Sequence, residues 1–277
     1  MSMKKLFAID LDGTIFDREK NVTPRTIDAI KAVQDAGHEV VLCTGRCPCW
    51  VRHKFANTSV RYVIGSNGAQ IYDIAADKLL YCQTMDTEAV LDVWRNSHNV
   101  PGIMYQIACP EAIYASHQSA IALFDGADLV DTDMENFIRT HNITQFNPVS
   151  VNPQTMQGVI DDLIAKNIIE GTSKISMPYI ALWLVDPTIP VGGYTTCDLN
   201  PSNTSKGMGL TRFANILNIP MQNTVAVGDS LNDLSMFDVA GYKVAMGNSL
   251  KQIKDVADLI IATNNEDGVA KYLEQFV

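Results

Sequence analysis

The stretch Leu6–Asp17, which reads Leu-Phe-Ala-Ile-Asp-Leu-Asp-Gly-Thr-Ile-Phe-Asp, constrains the fold of this chain more than any other. It begins with four apolar residues, and a short apolar run bounded by polar and glycine residues indicates a strand buried on both faces. The run stops at Asp10, Asp12 follows two residues later, and Gly13 permits a sharp turn. Catalytic groups of open parallel sheets collect at the carboxyl ends of strands. Asp10 is therefore predicted to stand at such an end.

A helix and a second strand follow, and they bring another polar group towards Asp10. Thr23 precedes a proline, which is typical of a helix N-terminus, and apolar residues then recur at helical spacing. The apolar run Val40–Cys43 comes next, so the segment is predicted to form a strand-helix-strand unit with parallel strands. Thr44 ends this second strand. Its hydroxyl and the N–H of Gly45 are suited to binding a phosphate oxygen.

Other polar groups stand in the same setting, directly after predicted strands at Tyr62–Ile64 and Thr224–Val227. These groups are Asn67, Asp229, Asn232 and Asp233. Lys206 lies in the first turn of a predicted helix, where a cation opposes the helix dipole, and this local cost favours a functional role for it. Asn67 can be interpreted either as a plain turn residue or as a residue that contacts a ligand. Asp233 also suits a helix N-terminus, where the dipole favours a carboxylate.

The middle of the chain has a different pattern. From 84 to 196, helical stretches and short strands alternate without the repeat of an apolar run followed by a carboxylate, which indicates an inserted α+β domain. The segment Val159–Ile169 is compatible with a helix or with a strand, and Ile180–Val185 is predicted to be a strand. The predicted fold class is α/β, with a doubly wound parallel-sheet (Rossmann-like) core formed by residues 1–83 and 197–277.

Composition restricts the partners of this chain. It has 277 residues and a net charge of -10, which argues against nucleic acid or an anionic membrane as the main partner. No apolar run approaches the roughly 20 residues of a membrane span, and the N-terminus lacks a signal-peptide core. Six cysteines without a dense framework favour free thiols and a cytoplasmic location. Cys43, Cys47 and Cys49 are predicted to serve as small apolar side chains in the protein interior. A structural metal site is less favoured, because it would need further ligands.

These motifs resemble, in the same order, those of the haloacid dehalogenase superfamily. An Asp-x-Asp pair alone is usually a turn, but Asp-x-Asp-Gly-Thr is expected in only roughly three in a thousand chains of this length. The matching stretches are Asp10–Thr14, Thr44–Arg46, Ser205–Gly207 and Gly228–Asp233. Thr-Gly-Arg and Ser-Lys-Gly are the forms found in the Cof-type phosphatase branch, in which a large α/β cap lies between the second and third motifs. The resemblance covers nearly the whole chain and is weak inside residues 84–196.

The resemblance implies a role for each motif residue. Asp10 would be the nucleophile on phosphorus, Asp12 the general acid and base, and Lys206 the neutralising cation. Mg²⁺ would be the cofactor. Its ligands would be Asp10, the backbone carbonyl of Asp12, Asp229 and Asp233. Residues expected to bind the phosphate or its surroundings are Leu11, Thr44, Gly45, Arg46, Asn67 and Asn232. The acid role of Asp12 is expected to depend on neighbouring carboxylates, which favour the protonated form.

A Mg²⁺-dependent phosphomonoester hydrolase is the main functional expectation, with a sugar phosphate or small phosphorylated cofactor as substrate. A phosphomutase of the phosphomannomutase type shares the same core and remains open. A phosphorylation-dependent regulator resembling a receiver domain is a weaker alternative, because receivers lack an equivalent of Asp12 and a domain-sized insertion. Residues 84–196 are expected to set selectivity. Tyr105, Tyr114 and Trp183 are suited to an apolar wall over the leaving group, although a role in the domain core is favoured for each. The oligomeric state and the exact substrate stay open.

Overall fold

The computed structural model of this chain describes residues 3–121, 126–169, 175–176 and 195–277, and it divides into two compact units. The first unit comprises Met1–Tyr81 and Ser205–Val277, and the second comprises Cys82–Thr204. The sequence pattern had placed the corresponding boundaries at 83/84 and 196/197. Within the described ranges, no helix has both the length and the apolar character that a membrane crossing requires.

The first unit is built on one sheet, which has eight strands among the described residues. In spatial order its strands are Leu259–Ile260, Tyr242–Ala245, Thr224–Gly228, Leu6–Ile9, Glu39–Cys43, Tyr62–Gly65, Gln70–Asp73 and Lys78–Cys82. The first six run parallel, and Gln70–Asp73 pairs antiparallel with Tyr62–Gly65. The helices of this unit are Pro24–Asp35, Pro48–Phe55, Lys206–Ile216, Leu234–Val239, Lys251–Lys254 and Gly268–Leu273. The predicted doubly wound α/β core is confirmed.

The central strand Leu6–Ile9 explains why the sheet carries cores on both of its faces. Successive side chains of a strand point to opposite faces. Phe7 and Ile9 accordingly belong to one apolar cluster, whereas Leu6 and Ala8 belong to another. All four side chains are fully buried, as the uninterrupted apolar run predicted. A strand at this position lies under helices on either side, so only its carboxyl end can present polar groups.

The second unit is an α+β domain, as predicted. Its main sheet has the strand order Thr195–Thr196, Gln145–Ser150, Met104–Ala108, Ile113–Ala115 and Asp128–Leu129 among the described residues. A separate pair joins Ile175–Ser176 to Asn200–Pro201. The helices of this unit are Thr87–Ser97, Gln118–Ile121, Met134–Thr140 and Pro153–Ala165. The segment Val159–Ile169, for which the sequence allowed a helix or a strand, begins within the helix Pro153–Ala165 and is therefore helical as far as Ala165. The strand predicted at Ile180–Val185, which includes Trp183, lies outside the described residues.

One interior strand of the second unit, Gln145–Ser150, was not predicted. It contains a proline and several polar residues, a composition normally restricted to sheet edges and loops. Tertiary hydrogen bonds compensate, because Asn147 Oδ1 accepts from Leu199 N at 2.9 Å and Gln145 Nε2 donates to Asn200 Oδ1 at 2.9 Å. Tyr105 packs on this strand with 1% of its surface exposed. It is therefore a core residue, the alternative that the sequence favoured.

Candidate active site

The carboxyl ends of the two central strands of the first unit bring Asp10 and Asp229 together. Asp10 follows Leu6–Ile9 directly, and its N–H donates to Val227 O of the neighbouring strand at 3.0 Å. The chain then turns tightly through Gly13, whose φ of +80° is readily adopted only by glycine. A Cβ atom at this position would overlap the carboxylate of Asp229. The glycine is therefore needed both for the turn and for the close approach of Asp229.

Lys206 connects two of the carboxylates. Its Nζ donates to Asp10 Oδ1 at 2.6 Å and to Asp233 Oδ1 at 2.7 Å, and only 1% of the lysine is exposed. Burial by itself lowers the pKa of this ammonium group. The two adjacent carboxylates outweigh that effect, so the pKa of Lys206 lies above its usual value and the side chain is a permanent cation.

The carboxylate cluster has more negative charge than this one lysine neutralises. Ligand oxygens of Asp10, Asp229 and Asp233 all lie within 4.8 Å of one another. Burial raises the pKa of Asp10 well above its usual value, and Asp233 and Asp229 act in the same direction against Lys206. Burial, followed by the charge of Asp233, raises the pKa of Asp229 to about 7. The cluster is thus stable as a fully ionised group only with a further cation.

The buried oxygens of this cluster indicate where that cation belongs. Asp10 Oδ2 and Asp229 Oδ1 are buried and have no hydrogen-bond partner among the described residues. Asp233 differs, because its Oδ2 already accepts from Asp229 N at 2.9 Å and from Ser230 N at 3.0 Å. Hard oxygen donors of this kind fit Mg²⁺. Asp10 and Asp229 therefore offer the available ligand atoms, while Asp233 fixes the loop that carries Asp229.

The side chain of Asp12 pairs with a positively charged residue, whereas the sequence predicted neighbouring carboxylates. Arg46 Nε donates to Asp12 Oδ2 and Arg46 Nη2 to Asp12 Oδ1, both at 2.7 Å, which is a bidentate ion pair. The guanidinium also stacks on the ring of Trp50, with Cζ 4.3 Å from the ring centroid. The direct partner of this carboxyl group is therefore a cation, although Asp229 also lies close enough to interact with it by charge. The bidentate guanidinium holds the orientation of the Asp12 side chain.

The remaining predicted residues line the same strand ends. Asn67 N donates to Thr44 O at 3.1 Å, and Asn232 Nδ2 donates to Asn67 Oδ1 at 3.4 Å. Gly45 leaves room for this contact, since a Cβ there would lie 3.2 Å from Asn67 Oδ1. Asn67 adopts a φ of +48° and is buried, so it is more than an exposed turn residue.

Leu11 does not present its side chain to this site. The side chain is fully buried and belongs to the apolar cluster on one face of the sheet. Any contact of Leu11 with a ligand can therefore come only from its backbone. The backbone of Leu11 closes the turn that follows Asp10, because Phe16 N donates to Leu11 O at 2.9 Å.

Two residues of the site were missed by sequence reasoning. Asn248 Nδ2 donates to Gly13 O at 2.7 Å and so supports the turn after Asp10. Its signal was its place just after the strand Tyr242–Ala245, the same setting as the other polar groups. Trp50 stacks on Arg46 from the helix Pro48–Phe55, and no local pattern distinguishes it from an ordinary core residue.

Known proteins share this architecture over their whole length. The sequence profile of the haloacid dehalogenase-like hydrolases matches residues 7–273. Phosphatase YwpJ of Bacillus subtilis is 32% identical over 99% of this chain and 100% of its own length. The 5-amino-6-(5-phospho-D-ribitylamino)uracil phosphatase YwtE of the same species is 28% identical over 99% and 98%, respectively. A solved haloacid dehalogenase-like hydrolase from B. subtilis superposes with a TM-score of 0.79 at 28% identity, covering 99% of this chain and 100% of that chain.

The match includes the whole chain, and the motif order is that of the Cof-type branch. The site geometry agrees with it, because the motif residues from four separate segments meet at the carboxyl ends of the central strands. This chain belongs to the haloacid dehalogenase-like hydrolase family and is a phosphatase.

Proposed function

We propose that this phosphatase is a Mg²⁺-dependent phosphomonoester hydrolase that acts through an aspartyl-phosphate intermediate on sugar phosphates or small phosphorylated cofactors. The observation that carries the proposal is the state of Asp10. One of its oxygens is held by a buried lysine, and the other is buried without a hydrogen-bond partner among the described residues. A carboxylate arranged in this way has a fixed orientation and still has capacity for a metal ion and for phosphorus, which a nucleophile of this kind needs.

Asp10, Asp229 and the backbone carbonyl of Asp12 would hold Mg²⁺, with Asp233 orienting Asp229. When bound, the ion supplies charge neutralisation for the phosphate oxygens and for the carboxylates. The Asp10 oxygen that does not bind the metal would attack phosphorus, and the ester oxygen would leave from the opposite side. Lys206 neutralises Asp10 and the incoming phosphate as a fixed point charge. Thr44, Gly45, Asn67 and Asn232 would donate hydrogen bonds to the phosphate or orient one another.

Asp12 would transfer protons in both halves of the reaction. It protonates the leaving oxygen in the first step, and it then takes a proton from the water that attacks the aspartyl phosphate. Arg46 holds both oxygens of Asp12, which defines the direction from which either proton is transferred. Both oxygens of Asp12 are thus occupied by Arg46 in the resting enzyme. Substrate binding must therefore reorganise this pair before the first proton transfer.

A substrate panel tests the proposed function directly. Phosphate release would be measured for sugar phosphates, nucleotides, flavin mononucleotide, pyridoxal phosphate and the ribitylaminouracil phosphate on which YwtE acts, with and without Mg²⁺. Turnover of several small esters only with Mg²⁺ supports the proposal. Activity that requires a bisphosphate activator would indicate the phosphomutase alternative, and a long-lived phosphoryl-aspartate without turnover would indicate the regulator.

The pKa of Asp229 leads to a prediction for metal binding. Because that pKa is about 7 without metal, Mg²⁺ must displace a proton at lower pH. The Mg²⁺ affinity is expected to rise about tenfold per pH unit between about pH 5 and about pH 7, and to level off above. Calorimetric titration in buffers of different ionisation enthalpy would count the released protons. An affinity independent of pH over this range would contradict the role of Asp229.

The same pKa predicts how pH affects the metal-free fold. The folded-state pKa of Asp229 is raised above its unfolded value, so the folded protein binds the extra proton and its stability falls as pH rises through this interval. The melting temperature without metal is expected to decrease from about pH 4 to about pH 7, and Mg²⁺ should reduce that slope. Asp229→Asn is the matched control, since it should make the metal-free profile less steep, leaving the contribution of Asp10, and abolish the effect of Mg²⁺.

We further propose that the second unit determines which ester is accepted. All the residues proposed for chemistry lie in the first unit. Replacing residues 82–204 with a short Gly/Ser linker is expected to preserve part of the activity on p-nitrophenyl phosphate. The values of kcat/KM for different sugar and cofactor phosphates should then lie within about tenfold of one another. This ratio corresponds to barriers that differ by no more than about 1.4 kcal/mol. Ratios of kcat/KM would be compared with those of the full chain. A folded, Mg²⁺-binding variant that keeps the original substrate ranking would refute the assignment.

A further inference from the structure

Two cysteines beside the candidate active site are closer together than free thiols normally lie. Cys47 Sγ and Cys49 Sγ are 2.6 Å apart, with only Pro48 between the two residues in sequence. A disulfide bond length is about 2.0 Å, so a small movement would bring the sulfur atoms to bonding distance. Neither metal ligation nor plain apolar filling accounts for this pairing. Among the described residues, the only cluster suited to a metal ion is formed by carboxylates.

The two thiols are chemically unequal in a way that favours oxidation. Cys49 is partly exposed, and its pKa is lowered by the hydrogen bond from Cys47, by the N–H of Trp50 and by the charge of Arg52, against the effect of burial. Cys47 is buried, and burial raises its pKa well above the usual value. The thiolate is the reactive form of cysteine. Cys49 is therefore suited to attack an oxidant, and Cys47 to resolve the product.

The pair lies where the loop that carries Thr44, Gly45 and Arg46 leads into the helix Pro48–Phe55. Cys47 directly follows Arg46, whose guanidinium holds Asp12, and Cys49 directly precedes Trp50, which stacks on that guanidinium. The backbone of Arg46 is itself fixed, because Ser66 N donates to Arg46 O at 2.9 Å. A bond between the two sulfur atoms would constrain the chain on both sides of Pro48. Because Arg46 is held on its side of the pair, closing the bond would move Cys49 and Trp50, and the Arg46 guanidinium that stacks on Trp50 would shift its hold on Asp12.

We propose that Cys47 and Cys49 form a reversible intrachain disulfide when a hydroperoxide is present, and that this bond lowers phosphatase turnover. The Cys49 thiolate attacks the terminal peroxide oxygen, so an S–O bond forms and the O–O bond breaks. Hydroxide leaves from hydrogen peroxide, or alkoxide from an organic hydroperoxide, and it takes up a proton. The Cys47 thiol then loses its proton, and its sulfur displaces water from the Cys49 sulfenic acid. The two thiols supply two electrons to the peroxide. A dithiol reductant reverses the bond by exchange.

The test compares the reduced and the peroxide-treated full-length protein. Wild type is treated with hydrogen peroxide, the excess is removed with catalase, and the Cys47–Cys49 peptide is analysed by mass spectrometry for the loss of two hydrogen atoms. The kcat is expected to fall about tenfold in parallel, since a displacement of about 1 Å in a catalytic group is sufficient for a larger effect. Mg²⁺ affinity should stay unchanged, because the metal ligands lie on other loops. Dithiothreitol should restore kcat.

Matched variants locate the effect. Cys49→Ser should keep its kcat after peroxide treatment, and Cys47→Ser should accumulate a dimedone-reactive sulfenic acid in place of the disulfide. Cys82→Ser is the control, because Cys82 is also partly exposed, yet burial raises its pKa. This variant should respond as wild type does. The activity measurement depends on the proposed function, whereas the mass measurement does not, so a failure of that function would already appear in the reduced protein.

Three results would overturn the proposal. The first is a peroxide-treated protein without a Cys47–Cys49 linkage, and the second is a quantitative linkage with unchanged kcat. The third is an equal loss of kcat in Cys49→Ser and wild type, which would place the sensitive group elsewhere. A linkage between two chains, visible on a non-reducing gel, counts as the first of these results.

Discussion

Replacing Asp10 with asparagine is expected to lower kcat by at least about 10³-fold, a barrier increase of about 4 kcal/mol. A neutral amide is a poor nucleophile and a weaker ligand for Mg²⁺. The fold should tolerate the change, because asparagine has the same size and can still accept from Lys206, which keeps its pair with Asp233. Burial raises the pKa of Asp10, so the metal-free Asp10→Asn variant should melt no lower than wild type at neutral pH. Steady-state kinetics and thermal melts test both expectations.

The control for this experiment is Asp17→Asn, the same substitution a short distance along the chain. Asp17 Oδ1 accepts from Glu19 N and Asn21 N in an exposed turn and is not among the residues proposed for chemistry. Its kcat should stay within about twofold of wild type, as for other surface changes. An Asp10→Asn enzyme that keeps more than about a tenth of wild-type kcat, a barrier change under ~1.4 kcal/mol, would rule out Asp10 as the nucleophile.

Replacing Asp12 with asparagine should lower kcat by about 10²- to 10⁴-fold, the usual contribution of general acid-base catalysis. Mg²⁺ affinity should change little, because only the backbone carbonyl of Asp12 is proposed as a ligand. Without the acid, the leaving oxygen departs unprotonated. Esters with poor leaving groups, such as sugar phosphates, should therefore lose more activity than p-nitrophenyl phosphate. A series of aryl and alkyl phosphates would measure this leaving-group dependence.

The matched comparison is Asp229→Asn, which removes a proposed metal ligand from the neighbouring strand end. That variant should lose Mg²⁺ binding, whereas Asp12→Asn should keep it, although both lose turnover. Calorimetry separates the two cases independently of activity. Equal relative losses for good and poor leaving groups in Asp12→Asn would exclude the proton-transfer role and leave Asp12 as a partner of Arg46 only.

The strands of the first unit could be predicted because their signals are local. Short apolar runs such as Leu6–Ile9 and Thr224–Gly228 end in glycine or aspartate, and nothing else in those segments competes with a buried strand. Gln145–Ser150 could not be predicted in this way. Its polar residues are buried by hydrogen bonds to the backbone and side chains near residues 199 and 200, which are distant in sequence. Helix Pro153–Ala165 did carry a local signal, since Asn152 caps it through Gln154 N and Thr155 N.

The residues of the site were predictable as motifs, but their partners were not. Aspartates after strands and a lysine in the first turn of a helix are visible in the sequence, and the structure brings Asp10, Asp233 and Lys206 into contact. The pairing of Arg46 with Asp12 depends instead on side-chain directions at the start of a helix. A guanidinium can reach several groups from that position, and stacking on Trp50 selects one of them. This choice changes the expected environment of Asp12 from anionic to cationic.

The central position of Leu6–Ile9 has a consequence for how the chain is synthesised. This strand is synthesised before the second unit, whereas one of its two neighbours, Thr224–Gly228, is synthesised only after that unit. Until then one edge of Leu6–Ile9 is unpaired and Asp10 lacks Lys206. The second unit is a continuous segment, Cys82–Thr204, so it can complete its own core during that delay. A nascent chain therefore holds an incomplete nucleophile site while the second unit is made, and the segment after Thr204 then adds Lys206, Asp229 and Asp233 to complete the charged cluster.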